Sequence, residues 1–205
     1  MSLMSRISAA VVTGLLSVAA SGPAALANDQ IRVRGVVEQL DGNILSVKTR
    51  EGSDTKIVLK DGWKISSVVK ASIDDVKAGD FVGIGSVPTA EGGDGALSVL
   101  IFPAEMRGTG EGSYAWDLKP NGSMTNATVS SAVKSVDGQT ITVSYQGKER
   151  KIAVPPGTPV VTFSTATPAD LTGGASVFIP SEKAADGTIS SSRVLVGSHG
   201  LQPPM

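Results

Sequence analysis

The sequence predicts an all-β protein built as two small five-stranded barrels in tandem, the products of an internal duplication, joined by an ordered linker. Three observations carry this reading. Short segments alternate apolar and polar residues with the two-residue period of a half-buried strand. Turn-forming Asp-Gly, Gln-Gly and Pro-Gly pairs separate them. The order strand, strand, strand, short helix, strand, strand then occurs twice, with Asp41 and Asp137 of the first turns 96 residues apart and Gly79 and Gly174 95 apart.

In order, Ile31–Leu40 alternates as a strand, Asp41-Gly42-Asn43 turns, and Ile44–Thr49 alternates again. Glu51–Asp54 is a turn and Thr55–Leu59 a third strand. Asp61-Gly62 is read as another turn, before a β-branched stretch, Trp63–Lys70. Ser72 is positioned to cap a short helix, Ile73–Lys77, ended by Gly79. Phe81–Val87 and Ala96–Phe102 complete the first set. The second set reads Ala127–Val136, Thr140–Tyr145, Glu149–Val154 and extended Pro159–Ser164. A helical turn capped by Thr167 with Pro168 first follows, then Ala175–Ile179 and Thr188–Val196. Five strands with a helix between the third and fourth is the element order of an OB-type barrel. A ten-stranded β-sandwich made from both halves fits the same pattern. The expected domains are 28–103 and 127–205, with the linker at 104–126.

Residues 1–27 read as a secretory signal peptide. Arg6 precedes an uncharged apolar run, Ile7–Ala20, and Ala25-Leu26-Ala27 is a small-x-small cleavage signal. The chain has no cysteine, which removes disulfides, a lipoprotein anchor and thiolate chemistry from consideration. Without Arg6 there remain 17 basic and 19 acidic residues, a net of −2, with the signs interspersed. A nucleic-acid binder needs a basic stripe and an electrostatic membrane patch needs a basic cluster, and neither is present. No apolar run after Ala27 is long enough to span a bilayer. The expected location is the periplasm or the exterior.

Two patterns carry a family resemblance. Gly35-Val36-Val37, Asp41-Gly42-Asn43, Leu45 and Val47 form one, and Val76, Gly79-Asp80, Val82 and Ile84 the other. They resemble the bacterial OB-fold-like secreted domains grouped as DUF5666. The central F-P-x-x-M-R-G-T-G-E-G-x-x-x-W-D-L and S-M-T-N-A-T-V resemble a two-repeat proteobacterial group of exported proteins without an established function. That group often has histidine where this chain has Ser113, a departure that weakens any metal or acid–base role for the linker. Its members sometimes carry a metal ABC transporter permease label, which a chain without membrane spans does not fit.

The linker is the one segment that reads as neither strand nor simple turn, and it holds the candidate site: Arg107, Glu111, Tyr114, Trp116 and Asp117. Arginine–carboxylate pairing beside a tryptophan lines many ligand pockets. The same residues also suit a long connection pinned against its neighbours. Gly108-Thr109-Gly110 is no dinucleotide fingerprint, because no helix follows it. Ser67–Lys70 and Ser131–Lys134 match serine–lysine spacing but fall in strand-like segments, where residues three apart face opposite ways.

His199 is the lone histidine, so neither a serine triad nor a zinc shell can be assembled. Met106 and Met124 offer soft sulfur to copper or, more simply, packing. No catalytic residue, metal or cofactor is assigned. The expected function is non-catalytic: a binding or scaffold protein of the cell envelope, its partner an envelope protein or small ligand and not nucleic acid. An enzyme using Glu111 and Asp117 with Arg107 as an anion clamp is the alternative, and a periplasmic metal-binding accessory protein the third.

Overall fold

The computed structural model describes residues 29–205, so the expected leader and its cleavage site lie outside the described residues. Its strands are β1 (Asp29–Asp41), β2 (Ile44–Thr49), β3 (Asp54–Lys70), β4 (Phe81–Pro88), β5 (Asp94–Ile101) and β6 (Gly112–Ala115). They continue with β7 (Ser123–Ser135), β8 (Gly138–Tyr145), β9 (Lys148–Val154), β10 (Val160–Thr165), β11 (Ser176–Lys183) and β12 (Ile189–Gly197). The all-β class expected from the two-residue period is what the chain adopts. No helix among the described residues is long and apolar enough to cross a membrane.

The expected helices are single 3-10 turns, Ile73–Asp75 and Pro168–Asp170. Each is closed early by its own aspartate. The Ser72 N–H donates to Asp75 Oδ2 at 2.8 Å, and the Thr167 N–H to Asp170 Oδ2 at 2.7 Å. Val76 is already extended, which turns its side chain into the core at 4% exposure. Asp61-Gly62 does not reverse the chain either. Gly62, at φ +70°, makes a bulge inside one continuous strand, and the register against β12 slips there from Ser191↔Leu59 to Arg193↔Lys64.

That continuity decides the topology. A strand of 17 residues spans roughly 55 Å at about 3.3 Å each, so β3 delivers the chain far from β1. The fourth and fifth strands therefore form away from the first three, and the expected arrangement of one barrel per half is not adopted. In the first ring β1 pairs β2 and β2 pairs β3, but closure comes from the other half. β12 runs parallel to β3, and β11 joins β12 to β1. The result is a closed five-stranded barrel.

The remaining long strands make a second cycle, with β7, β8 and β9 consecutive and β4 and β5 supplied by the first half. A short parallel ladder, Asp94↔Ile152 and Gly95↔Ala153, closes it. Arg150 on β9 reinforces that ladder through a bidentate pair with Asp94 on β5, both contacts 2.7 Å.

Each cycle holds its own core, and both cores are chimeric. One joins Val37, Leu45 and Ile57 to Val177, Ile179 and Val194. The other joins Val82, Ile84 and Val99 to Val129, Ile141 and Ile152. Between the cycles β10 pairs antiparallel with the end of β3 and parallel with β5. A third cluster, Val68, Leu100, Val161, Phe178 and Leu195, fills that seam.

A fragment ending at residue 103 lacks two of the strands that close its barrel. Residues 29–103 expressed alone should show no cooperative thermal transition by circular dichroism, and co-expression with 104–205 should restore one. Cooperative melting of 29–103 by itself would contradict the exchanged pairing.

Candidate functional site

A cleft of ≈ 350 Å³ opens between the two cycles, beneath the linker. One wall is the outer face of the first barrel, where alternate residues project away from its core. There Arg34 lies opposite Phe178 and Phe178 opposite Leu195 across β1, β11 and β12. Arg32, Pro180 and Arg193 lie beside that row and line the same cleft. The Arg34 guanidinium carbon sits 5.0 Å from the centre of the Phe178 ring.

The opposite wall belongs to β4, β5 and β7. On β4 the alternation FVGIG places Val82 and Ile84 in the core at 0% exposure and turns Gly83 and Gly85 outward. The missing side chains leave room for rings against bare backbone. A Cβ on Gly83 would meet the Phe102 ring at 3.2 Å, and one on Gly85 would meet three Trp116 ring atoms at 2.6–2.9 Å. Phe102 in turn contacts Phe81 and Phe163, with ring centres 5.3 and 6.0 Å away.

The linker forms the roof and is anchored to both cycles. After the 3-10 turn Ala104–Met106, strand β6 pairs with β7 and extends that sheet by one short strand. Asp117 reaches the first barrel, accepting 2.8 and 2.9 Å hydrogen bonds from the two terminal nitrogens of Arg34. Arg34 Nε donates to the main-chain oxygen of Met205 at 2.6 Å, which ties the tail into the same corner. Glu111 reaches the second cycle, where its Oε1 accepts from the Gln146 N–H at 2.9 Å. Ser113 Oγ and Thr125 Oγ1 both accept from Arg150 Nη1, at 2.9 and 3.0 Å.

Desolvation pushes the Asp117 carboxyl upward, but the Arg34 hydrogen bonds and the charges of Arg34 and Arg32 outweigh it and hold it below the ordinary aspartate value.

The five residues singled out in the sequence divide three ways. Trp116, buried at 9% exposure, and Tyr114 line the cleft. Asp117 fixes a lining arginine from outside. Glu111 and Arg107 do not line it: Glu111 faces the β8–β9 turn, and Arg107 is exposed. Glu111 and Asp117 are thus held by opposite cycles. The buried Trp116 Nε1 has no hydrogen-bond partner among the described residues, so its burial rests on ring packing over Gly85. Among the described residues no group of three or more His, Cys, Asp or Glu is placed to hold a metal ion.

The chain matches no protein-family model, no curated protein and no solved structure. The site therefore stands on its own geometry.

Arg32, Arg34, Arg193 and the phenylalanines escaped the sequence reading. On a strand with one face in a core, the arginines pass for an ordinary solvent face. The phenylalanines are scattered from 102 to 178, and only the exchanged topology gathers them. One signal was legible: outward glycines at alternate positions of β4 announce a close approach.

Two outcomes follow. Gly85→Ala should destabilise the protein by about 1–3 kcal/mol through overpacking and red-shift the Trp116 emission, read in a Trp63→Phe background. Unchanged stability and emission would contradict the stacking. Because the folded Asp117 value is depressed, its stabilisation is complete above the unfolded value of about 3.9 and is lost as pH falls below it. The stability gap between the wild type and Asp117→Asn should therefore be constant near neutrality and shrink below about pH 4 in denaturant titrations. A gap that persists into strong acid would contradict the Arg34 pairing.

Proposed function

We propose that the chain is a non-catalytic binding protein of the bacterial cell envelope, exported through its N-terminal leader, with the inter-ring cleft as its ligand seat. One observation carries this reading: Met106, Met124 and Met205, all the methionines among the described residues, line that single cleft. Methionine is flexible and polarizable and suits surfaces that adapt to apolar ligands. The volume falls at the lower end of the roughly 300–1,000 Å³ of sites that hold drug-sized molecules. The linker carboxylates support the same reading, since Glu111 and Asp117 each serve an anchor at a different cycle.

We also read both pairing cycles as OB-type barrels derived from a duplicated unit, of the kind grouped as DUF5666. The matched capped turns at Ser72 and Thr167 support this. So do the matched contacts of Gly79 with Val129 and Gly174 with Val37, each an N–H donated at 2.8 Å to the carbonyl of a first strand.

The test uses protein isolated from the exported fraction of its host and weighed by native mass spectrometry. An added mass that disappears on denaturation is expected in the wild type and not in Ala115→Trp. Ala115 is exposed at the rim of the cleft, so enlarging it fills the space without removing a core contact. An added mass retained by Ala115→Trp would place the ligand elsewhere.

A further inference from the structure

We infer that the ligand of this cleft is an amphipathic monoanion, an apolar body carrying one oxyanion head, with the head held by Arg193 and Arg32. The inference rests on the binding reading above and adds the chemistry of what is bound.

Among the described residues three arginines line the cleft and no aspartate or glutamate does. They are not equivalent. Arg34 is already paired with Asp117, bonded to Met205 and stacked near the Phe178 ring. Arg32 is exposed and lies 3.9 Å from Asp117, at the edge of contact. Arg193 is half-buried, and among the described residues its guanidinium has only the Met106 Sδ, 3.9 Å away, as a hydrogen-bonding contact. A half-buried guanidinium with five donors and no carboxylate partner among the described residues is a charge that they leave uncompensated. A planar oxyanion matches that fork in a bidentate pair.

The rest of the lining sets the body. Leu100, Phe102, Phe163, Leu195 and the methionines present apolar surface with few polar interruptions. A long neutral molecule would leave Arg193 unanswered, and a multiply charged one would bury charge against carbon. The same field argues against a cation. Thioether sulfurs are soft ligands for copper, but an ion on Met106 would sit beside the Arg193 guanidinium. A polarizable sulfur next to an apolar chain meets no such repulsion.

Decanoate, decyltrimethylammonium and decanol share one body and differ in the sign of the head. Each is titrated into the full mature protein below its aggregation concentration, followed by isothermal calorimetry and tryptophan emission, with folding of each variant checked by its thermal transition. Decanoate should bind about 10- to 100-fold more tightly than the cation, the worth of a charged hydrogen-bonded pair. Arg193→Gln should remove most of that preference while leaving decanol affinity unchanged, and Ala115→Trp should abolish binding of all three. Equal affinity for the three heads, or a preference that survives Arg193→Gln, would overturn the assignment of the head and leave the cleft as the seat. Failure of all three to bind, or binding unaltered in Ala115→Trp, would overturn the cleft itself.

Discussion

The parallel pairing of β12 with β3 is the contact on which the other features depend. A five-stranded barrel has no free edge only when its last strand finds its first three, and an open edge exposes a row of unpaired N–H and C=O groups. Here the strand that closes the first barrel comes from the far end of the chain, and β4 and β5 complete the second cycle in return. The core of the first barrel is consequently assembled from residues more than a hundred positions apart, such as Ile57 with Ile179. Such contacts carry a large loop-closure cost, which favours slow folding over the fast folding of local topologies.

The exchange also creates the cleft. Two self-contained barrels would meet through whatever surfaces a linker allowed. Two cycles that each draw strands from both halves are fixed by the β3–β10 ladder and by the cluster around Val68, Leu100 and Phe178. The outer faces of both cycles then converge at one place, where the linker lies across them. Asp117 binds it to one side and Glu111 to the other. The roof is thus held at both ends by charge-assisted hydrogen bonds, while the space beneath is lined mostly by apolar residues and by arginines.

Much of the fold was legible in the sequence. The two-residue period marked nearly every strand, because each has one face in a core and one outside it. Helix length was overestimated at Ile73–Lys77 since periodicity cannot see that Asp75 folds back on Ser72. The Asp61-Gly62 pair was read as a reversal because such dipeptides usually are, whereas here the bulge lets β3 bend and continue. Pairing between halves was out of reach for a more basic reason. Alternation tells which face is buried and says nothing of which strand covers it. Within the site, Trp116 and Asp117 stood out through the odd composition of their segment. Arg193 did not, since a single charge on the outer face of a strand carries no mark of its neighbours.

The first barrel closes only if β12 meets β3 and β11 meets β1, and a chain without cysteine allows a clean test of that closure. Gln30 and Glu182 face each other in the β1–β11 ladder. Oxidation of a Gln30→Cys, Glu182→Cys variant should give a disulfide within the monomer, formed readily in the folded protein and not in the chain unfolded by guanidinium. Free thiols in the folded, oxidised monomer would contradict the account, as would disulfides found only between two chains.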